Sequence, residues 1–521
     1  MKILFVGAEV APFVSVGGLS QVSYFLPRAL QKRGNDVRIF TARHGAMDEV
    51  KEKFQLKMKI KSLKVPVASE NDKKKRTTKQ KYIACRVSTY SKTGEPTTYF
   101  LENREYYELR ANVFGYKDDH VRFALLSKGI LEALLQMKKK KDTDWWPDLI
   151  HANDWHTGYF IDMAREDPRY KKLLENIPIV FTVHNFFYQG NINFRYIHER
   201  ERDTGSTPLM SLDSPRLLRQ NPLLRGLIYA DEVNTVSPTH AIEVLTPEYA
   251  EGLDKTLNKI RGKLTGILNG LDTKEFNPET DPLIIKNYSI SSFAAARRVN
   301  KANLQKEFGL EEKPDAPIIA VLGRISAQKG WELILDVLPH LLVERPNVQI
   351  IVLGQGDEKY QNDLINIQRR FPNQVGLHMQ RDFRLPRKIY SGADMILIPS
   401  LFEPGGIVAL EALRYGTVPI VRRTGGLNDV VADFNPNTGV GNGFSFTQKS
   451  PWSLYGSIVS ALSLYENSKL WNTLVRNCLK SDFSWDQTAG EYDRWYQKAL
   501  EERRRATDIN PSPAYKITVE K

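Results

Sequence analysis

The chain alternates short apolar runs with longer amphipathic segments, and this alternation constrains the fold more than any other feature. Near the start, an apolar run at 3–6 is followed by a glycine loop at 16–19, a helical segment over 20–32 and a second apolar run at 36–41. A strand, a crossover helix and another strand form the βαβ unit of a parallel sheet. The sequence therefore predicts a parallel sheet that begins with the first residues of the chain.

The alternation occurs in two parts of the chain. Further strands are predicted in both parts, at 148–151, 179–183 and 232–236, and again at 316–322, 348–353, 395–399 and 418–421. Ser237 and Pro238 follow one of these strands and are typical of a helix start. The pattern predicts an α/β fold of two doubly wound, Rossmann-like domains that face each other across a cleft.

The length of 521 residues exceeds what a single hydrophobic core accommodates, which also favours two large domains. We expect four segments: a first domain over 1–283, a second over 284–485, a C-terminal helix over 486–505 that returns to the first domain, and a tail over 506–521. The joint falls in a stretch rich in Pro, Asp and Asn at 276–288. The lysine-rich insertion at 51–96 is predicted to be a hairpin without chemistry of its own.

The net charge of +13 favours anionic partners such as phosphate esters. The basic clusters at 73–76 and 138–141 are not interleaved with aromatic residues, so a solvated surface explains much of the charge and no nucleic acid is expected. The two cysteines, Cys85 and Cys478, allow neither a disulfide framework nor a four-cysteine zinc site. No apolar run approaches the roughly 18 residues that cross a bilayer, and the first residues already form a strand rather than a leader. We therefore expect a cytoplasmic protein without a membrane partner, and the oligomeric state stays open.

Residues suited to ligand binding follow the predicted strands, where open parallel sheets bind their ligands. Gly17 and Gly18 precede a helix, and their uncovered amides suit a phosphate, although a tight turn explains them equally well. The G-x-G-x-x-G fingerprint of dinucleotide enzymes is absent, because the pair Gly354 and Gly356 lacks its third glycine. A nicotinamide enzyme is therefore disfavoured.

Two cations stand directly after the first strand of the second part. Arg324 and Lys329 suit a diphosphate, and they would stabilise the charge that grows on a diphosphate leaving group. An exposed pair of surface cations is the alternative. The positive segment at 422–426 again follows a strand and fits a second phosphate contact.

The stretch 399–411 is the most informative one. Glu403 follows a strand, and Gly405 and Gly406 open a helix whose amides point back towards the strand ends. A carboxylate beside free amides suits vicinal sugar hydroxyls, one of which donates while the other accepts. Glu411 lies further along the same helix, and for this residue an ordinary position on the helix surface is slightly favoured.

Histidines at strand ends of the first part raise the question of a metal. His151 and His156 could bind one, but no further ligands gather at a suitable spacing. The pair Asp142 and Asp144 imitates the D-x-D metal motif found in some sugar transferases but precedes a strand instead of following one. A metal site is therefore not expected.

Taken together, these stretches resemble glycosyltransferase family 5, the bacterial glycogen synthases and plant starch synthases, from residue 1 to about residue 500. The matching stretches are 7–13, 16–19, 151–156, 182–190, 235–241, 266–272, 323–330, 402–404 and 422–427. The resemblance implies the GT-B architecture. It also implies transfer of glucose from ADP-glucose to the non-reducing 4-hydroxyl of an α-1,4-glucan, with retained anomeric configuration and without a metal or other cofactor.

The resemblance also implies roles for individual residues. The catalytic set is His156 beside the reacting sugar, Arg324 and Lys329 on the diphosphate, and Glu403 on the glucose hydroxyls. The implied donor-binding residues are Ser15, Gly17, Gly18, Gly323, Arg381, Gly405, Gly406, Ile407, Glu411, Thr424, Gly425 and Gly426. The implied acceptor-binding residues are His184, Asn185 and Gln189.

The chain departs from the family pattern near the implied donor site. Ser15 stands where the family has a lysine, and losing one charge-assisted contact costs about 1.5–3 kcal/mol. Ser20 and Gln21 replace a Gly-Asp pair, and Arg381 stands where bacterial members stack a tyrosine on adenine. Two alternatives therefore stay open: a related transferase that uses UDP-glucose, another donor or a small sugar or sugar phosphate acceptor, and a non-catalytic glucan-binding paralogue.

Overall fold

The computed structural model describes residues 1–49, 54–72, 77–140, 145–190, 192–380 and 382–509. The chain divides into two compact units. The first unit comprises Met1–Val236, Ala241–Ile267 and the residues from Asp486 onward, and the second comprises Ser237–His240 and Leu268–Trp485. Each unit has its own sheet and its own hydrophobic core.

The first unit is built on a nine-stranded sheet. Its strands are β1 (Lys2–Val6), β2 (Asp36–Ala42), β3 (Lys57–Asp72), β4 (Thr77–Tyr90), β5 (Thr97–Glu102), β6 (Leu149–Asn153), β7 (Ile179–Val183), β8 (Glu232–Thr235) and β9 (Leu264–Gly266). The helices that accompany it are α1 (Gly18–Lys32), α2 (Asp119–Lys140), α3 (Gly158–Glu166), α4 (Pro168–Leu174), α5 (Pro222–Tyr229) and α7 (Asp254–Lys259). The short helix α6 (Pro238–Glu243) is divided, because its residues up to His240 belong to the second unit.

The strand order of the first sheet is β3-β4-β5-β2-β1-β6-β7-β8-β9. From β5 through β2 and β1 to β9, each strand pairs in parallel with the next one in this order, as the crossover pattern predicts. Strand β4 runs antiparallel to both β3 and β5. The strands β3 and β4 form the hairpin predicted for the insertion, which extends the sheet at one edge. The central strands are buried on both faces, which explains why they read as continuous apolar runs.

The second unit is built on a six-stranded parallel sheet in the order β12-β11-β10-β13-β14-β15. Its strands are β10 (Ile318–Leu322), β11 (Gln349–Leu353), β12 (Val375–His378), β13 (Met395–Ile398), β14 (Val418–Arg422) and β15 (Phe444–Phe446). Its helices are α8 (Phe293–Glu307), α9 (Trp331–Glu344), α10 (Glu358–Arg370), α11 (Leu385–Gly392), α12 (Ile407–Arg414), α13 (Gly425–Val430), α14 (Pro451–Tyr465) and α15 (Ser468–Lys480).

Side-chain caps start several helices where the sequence carries the appropriate residue. The predicted start after β8 is confirmed, because the Ser237 hydroxyl accepts the amide of His240 at 3.0 Å. Asn221 accepts the amide of Leu224 at 2.9 Å and is followed by Pro222 at the first helical position of α5. These local contacts orient the helices that cover both sheets.

The boundary between the units differs from the one predicted at 283. Residues from Leu268 onward belong to the second unit because they pack there. Leu271 forms a bridge with Ser484 and joins the second hydrophobic core. Arg387 donates to the Glu275 carbonyl at 2.7 Å and to the buried Asp281 carboxylate at 3.2 Å. The Pro- and Asp-rich joint is thus part of the second unit.

The last helix, α16 (Trp485–Ile509), lies against the first unit from Asp486 onward. Tyr496 places its hydroxyl 2.7 Å from Nδ1 of His151, and Lys498 pairs with the buried Glu232 at 2.9 Å. The helix runs beyond the predicted end at 505, so the predicted tail overlaps it, and residues 510–521 lie outside the described residues. In the part of the chain that the structure describes, no helix has the length and apolar character to cross a membrane. The cytoplasmic location stays a prediction.

Candidate active site

The strand orders identify one topological switch point in each unit. In the first unit β1 lies between β2 and β6, and in the second β10 lies between β11 and β13. Ligands of open parallel sheets bind outside the carboxyl ends of the strands at such a reversal. The loops concerned are 7–17 and 154–157 in the first unit and 323–330 and 399–406 in the second. All four residues of the predicted catalytic set fall in these loops, as do several of the predicted donor-binding residues.

In the second unit, the structure brings Lys329 and Glu403 together. Nζ of Lys329 lies 2.5 Å from Oε2 of Glu403, and the same oxygen accepts the Ser400 hydroxyl at 2.9 Å. Both charged side chains are partly exposed, at 27% and 16%, so the pair is open to solvent on one side. The loops after β10 and β13 therefore hold a cation and a carboxylate in contact at the switch point.

Arg324 lies in the same loop as Lys329 and is exposed. Two glycines shape this loop. Gly323 has φ +132°, and Gly330 has φ +75° with the position of an added Cβ only 2.2 Å from the Pro399 carbonyl oxygen. Only glycine fits at Gly330, and this close approach holds the Arg324–Lys329 loop against the loop that carries Glu403.

Two glycine pairs pack against each other beside Glu403. Gly406 has φ +65° and precedes Ile407, the first residue of α12. The amide of Gly426 donates to the Glu403 carbonyl at 3.0 Å, and a Cβ on Gly425 would lie 2.2 Å from that same oxygen. A Cβ on Gly426 would lie 2.5 Å from the carbonyl carbon of Gly405. The predicted donor residues at 405–407 and 425–426 are thus neighbours, and their lack of side chains lets the two helix starts meet.

In the positive segment predicted to contact a phosphate at 422–426, both arginines have partners within the fold. Arg422 is buried and its guanidinium donates to the carbonyls of Ser400 and Leu401, at 2.8 Å in the first case. Arg423 pairs with Asp433 at 2.6 Å. The buried Arg422 supports the loop that carries Glu403, because it donates to two carbonyls of that loop. Thr424, the next residue, is fully buried and precedes α13.

Glu411 lies on α12, one side of which is buried. Its Oε2 accepts the Tyr390 hydroxyl at 2.7 Å. Burial raises the pKa of Glu411 to about 7, and the hydrogen bond from Tyr390 opposes that rise. A surface glutamate would not show this environment, so the structure does not support the ordinary helix-surface interpretation. Arg381 lies outside the described residues, as do Asp142 and Asp144.

In the first unit, the loop after β1 is organised by a buried carboxylate. Oε2 of Glu9 accepts the amide of Val16 at 2.8 Å, beside Gly17. Burial raises the pKa of Glu9 to about 7 against the lowering effect of backbone hydrogen bonds. Ser15 lies exposed in this loop, with its hydroxyl 2.9 Å from that of Ser20, and Gly18 begins α1. The predicted glycine loop is therefore confirmed as the strand-to-helix turn.

His156 lies in the other loop of this switch point. The imidazole is buried among the rings of Trp155, Phe123 and Phe114, with centroids 4.1, 4.6 and 4.8 Å away. Its Nδ1 is buried and has no hydrogen-bond partner among the described residues. Burial, together with the nearby His44 and Arg122, holds the pKa of His156 well below its usual value. His156 is therefore a neutral imidazole at physiological pH.

The residues predicted to bind the acceptor have different environments. His184 is partly buried, with Nε2 3.1 Å from Oδ1 of Asn153, and burial lowers its pKa to about 4. Asn185 uses its side-chain oxygen to accept the amide of Phe187 at 2.9 Å. Gln189 is buried, and its amide donates to two carbonyls and accepts from the amide of Phe194 and from Asn221. Every hydrogen-bonding group of Gln189 is thus used within the fold, which makes it a structural residue.

His151 is also structural. Its Nδ1 lies 2.7 Å from the Tyr496 hydroxyl and its Nε2 2.7 Å from the Thr182 hydroxyl, so neither nitrogen can ligate a metal without breaking a buried hydrogen bond. Among the described residues, no group of three or more His, Cys, Asp or Glu side chains could hold a metal ion.

Sequence reasoning missed four groups that the structure places at these sites. Ser400 and Tyr390 donate to Glu403 and Glu411 respectively. Glu9 and Asp154 are the carboxylates of the first switch point, and Asp154, with φ +55°, accepts the amide of His184 at 2.8 Å. Glu9 could have been found from its position after β1. Ser400 lies only three residues before Glu403 and could have been found in the same way. The Tyr390 contact could not, because its partner Glu411 lies on a different helix.

Comparison with known proteins follows this division of the chain. The family model for the starch synthase catalytic domain matches residues 2–259, and the one for glycosyl transferases group 1 matches residues 303–476. A glycogen synthase of Clostridium novyi (strain NT) is 37% identical over 504 residues, which cover 96% of this chain and 99% of that protein. A glycogen synthase of Lacticaseibacillus casei (strain BL23) is 38% identical, again over 96% and 99%.

A solved structure agrees over the same extent. The catalytic domain of starch synthase IV from Arabidopsis thaliana, bound to ADP and acarbose, superposes with a TM-score of 0.79 at 30% identity, over 96% of this chain and 99% of that one. A sucrose-phosphate synthase from Thermosynechococcus elongatus shares the fold, with a TM-score of 0.56 at 18% identity. The GT-B fold class predicted from the sequence is confirmed, and the chain belongs to glycosyltransferase family 5, the glycogen and starch synthases.

Proposed function

We propose that this enzyme transfers glucose from ADP-glucose to the non-reducing 4-hydroxyl of an α-1,4-glucan, with retention of the anomeric configuration. The observation that carries the proposal is the contact between Lys329 and Glu403 at the switch point of the second unit. A cation for a leaving diphosphate and a carboxylate for a sugar ring are the two recognition elements that a nucleotide sugar needs. The related Arabidopsis structure is bound to ADP and acarbose, a pair that fits these two elements.

The donor's diphosphate is assigned to Arg324 and Lys329. Arg324 is exposed and Lys329 is paired with Glu403, so an entering phosphate adds a second anionic partner to the Lys329 ammonium. Both cations act most strongly when the glycosidic C1–O bond breaks, since the negative charge on the diphosphate then reaches its maximum. Protein cations supply this charge in the proposal, and no metal is required.

The sugar is assigned to Glu403 and the amides of the glycine-rich α12 start. One oxygen of Glu403 is held by Lys329 and Ser400, which fixes the carboxylate while the other oxygen accepts from a glucose hydroxyl. The amides at 405–407 donate to neighbouring hydroxyls. Glu411, oriented by Tyr390, is assigned to the nucleoside end of the donor, where a ribose presents a similar pair of hydroxyls.

The chemical step exchanges one bond to the glucose C1 for another. The bond between C1 and the diphosphate oxygen breaks, its electron pair leaves with the nucleoside diphosphate, and the 4-hydroxyl oxygen of the acceptor bonds to C1 on the same face. The hydroxyl proton passes to the departing diphosphate. His156 is neutral because it is buried, so it presents a dipole and a lone pair to the positively charged sugar instead of a repelling cation.

The same transfer with UDP-glucose, another donor or a small sugar or sugar phosphate acceptor is the second candidate. It is favoured by Ser15, whose hydroxyl lies 2.9 Å from that of Ser20 and supplies no charge to the glycine loop. If the glycine loop of the first unit binds the donor phosphates less tightly, then selectivity between donors depends more on contacts to the nucleotide base. The position that would contact the base, Arg381, lies outside the described residues.

The test measures nucleotide release from ADP-glucose and from UDP-glucose, each with glycogen, with maltose and without acceptor. Glu403→Ala is the inactive variant, and Glu358→Ala, which removes an exposed glutamate of α10, is the matched control. Release of ADP that depends on glycogen supports the proposal. Release only with UDP-glucose or only with the small acceptor supports the second candidate, and retention on glycogen without turnover contradicts both.

The requirement for metal is tested in the same assay. We expect full activity after treatment with EDTA, because Arg324 and Lys329 meet the diphosphate charge. Activity that is lost with EDTA and restored by Mg²⁺ would contradict the assignment of the two cations.

A further inference from the structure

An unburied group of aromatic side chains lies on the second unit away from its switch point. Trp452 on α14 is 70% exposed, and Val343 on α9 is 61% exposed. The Trp452 ring lies 6.1 Å from that of the exposed His340 and 6.0 Å from that of Tyr455. We call these four residues of two adjacent helices the aromatic platform. Single exposed apolar residues are common on protein surfaces, whereas a contiguous group with two aromatic rings indicates a binding surface.

A groove continues from the aromatic platform. The Tyr455 hydroxyl is hydrogen bonded to Glu344, and Glu344 lines a cavity of about 1050 Å³ within the second unit. The floor of the cavity contains the buried Lys301, which pairs with Asp394 at 2.7 Å and with the Tyr465 hydroxyl at 2.9 Å. Because Glu344 lines the groove and accepts the hydroxyl of Tyr455 in the platform, the platform and the groove form one continuous surface.

The groove lies at the amino ends of the strands of the second sheet, whereas the candidate site of this unit lies at their carboxyl ends. The groove is lined by Pro317, Val348 and Asp394, which directly precede β10, β11 and β13. Arg324 and Glu403 follow the carboxyl ends of β10 and β13. The surface is therefore separate from the residues assigned to the donor.

The polar side chains of the groove favour a neutral, hydroxyl-rich ligand. Cationic Arg298 and Arg345 are balanced by acidic Asp315 and Glu466, and Arg345 lies 3.8 Å from Glu466. A groove for an anion would carry an excess of one sign. The amide of Asn347 and the carboxylates of this lining suit vicinal hydroxyls, which both donate and accept.

An α-1,4-glucan offers both kinds of surface that this region complements. Each glucose ring has a face of C–H groups that packs on an aromatic ring and a rim of hydroxyls that bonds to amides and carboxylates. The cavity is also of the size that takes an oligosaccharide segment. We propose that the aromatic platform and the groove beside it form a second, non-catalytic binding surface for α-glucan chains.

This inference rests on the proposed function for the identity of the acceptor, and it extends that function. A chain held on the second surface keeps the enzyme attached to a branched polymer while other chain ends reach the active site. Attachment at two places raises the effective concentration of chain ends without changing the chemical step. The surface therefore affects large acceptors and not short ones.

The experiment compares the binding of glycogen, in the absence of any donor, by native gel electrophoresis in gels that contain increasing glycogen. Trp452→Ala is expected to raise the apparent dissociation constant about tenfold, and Trp452→Phe to retain most of the affinity. Ile285→Ala, which truncates a 58%-exposed apolar side chain of the same unit, is the matched control and is expected to leave binding unchanged. Asn347→Ala tests the groove separately from the platform.

Turnover separates this inference from the proposed function. With ADP-glucose and maltotriose, Trp452→Ala is expected to match the unaltered enzyme, whereas with glycogen its KM is expected to rise. Unaltered glycogen affinity in both Trp452→Ala and Asn347→Ala would overturn the inference even if turnover occurs. A dimer that Trp452→Ala dissociates, with glycogen affinity unchanged, would identify the surface as a subunit contact and would overturn it as well. Weaker glycogen binding in a protein that transfers no glucose would support the surface and contradict the proposed function.

Discussion

The two switch points handle charge in opposite ways. In the first unit, burial lowers the pKa of His156 and raises that of Glu9 to about 7, so the ionisable groups lose charge when the protein folds. In the second unit, Arg324 is exposed and Lys329 contacts Glu403 at the surface, so these side chains stay in contact with solvent. Both sites follow the central strands of a parallel sheet. We call the apolar surroundings of His156 the apolar pocket, and the group of Arg324, Lys329 and Glu403 the charged rim.

This difference indicates a division of labour. A leaving diphosphate carries a growing negative charge. It needs cations that are already in position, so that no reorganisation is required at the moment of reaction. A developing sugar cation needs an environment without a second cation nearby. In the proposed mechanism, the second unit meets the first need and the first unit meets the second. The predictions below test this division, beginning with the largest expected effect.

Removing the cation at the charged rim has the largest expected effect. Lys329→Ala is expected to lower kcat/KM for the nucleotide sugar by about a thousandfold, because the leaving group loses a direct charge contact. Lys306→Ala, an exposed lysine of α8, is the control and is expected to change nothing. Steady-state nucleotide release measures both. A loss below tenfold in Lys329→Ala would show that the charged rim is not where the diphosphate leaves.

Removing the imidazole from the apolar pocket tests the other half. His156→Ala is expected to lower kcat by about a hundredfold, with a smaller change in donor KM, because the side chain acts on the reacting sugar and not on donor binding. Since burial keeps the pKa of His156 well below its usual value, the pH profile should show no loss of activity from this group between pH 6 and 8. A rise in KM without loss of kcat would place His156 on the donor instead.

The charge-free state of the first unit should appear in its stability. Burial lowers the pKa of His44 from 6.5 to about 4, so the unfolded chain binds more protons than the folded one between these values. The His44 contribution is fully present above pH 6.5 and is lost as the pH falls towards 4. From pH 6.5 to pH 5 the loss is about 1.6 kcal/mol, or about fifteenfold in the unfolding equilibrium.

Urea unfolding followed by fluorescence at both pH values measures this loss. His44→Gln is expected to flatten the pH dependence, whereas His340→Gln, at an exposed histidine of the second unit, is expected to leave it unchanged. Identical pH dependence in His44→Gln and the unaltered protein would show that the first unit does not suppress charge by burial.

The smallest expected effect concerns a hydroxyl that no local pattern reveals. Tyr390→Phe removes the hydrogen bond to Glu411, which otherwise lowers the pKa of that carboxyl from the value that burial alone would impose. The pKa of Glu411 should therefore rise above about 7, and donor KM at pH 7 should increase about fivefold with kcat retained. The increase should shrink at higher pH, where Glu411 ionises in both proteins. A loss confined to kcat would contradict the assignment of Glu411 to donor binding.

Most strands and the turns at both switch points were predictable, because they depend on local periodicity. The run at 179–183 corresponds to β7, and the glycine loop lies at the strand-to-helix turn before α1. The joint was not predictable, because Asp281 looks like a linker residue until its contact with Arg387, far along the chain, is seen. The resemblance implied an acceptor role for Gln189, and the positive segment at 422–426 predicted a phosphate contact. In the structure Gln189 and Arg422 hydrogen bond within the fold, which their positions after strands do not reveal.

Short-range order in the chain was therefore enough to establish the two doubly wound units, the loops that carry Lys329 and Glu403, and the family. Which of the polar groups keep a charge was decided only when the chain folded. A carboxyl such as Glu9 or a histidine such as His156 changes its pKa because segments distant in sequence exclude water from it, and no spacing of neighbouring residues records that exclusion. Desolvation is a property of the packed structure, so the chemistry of the two sites follows from tertiary packing even where their positions follow from sequence.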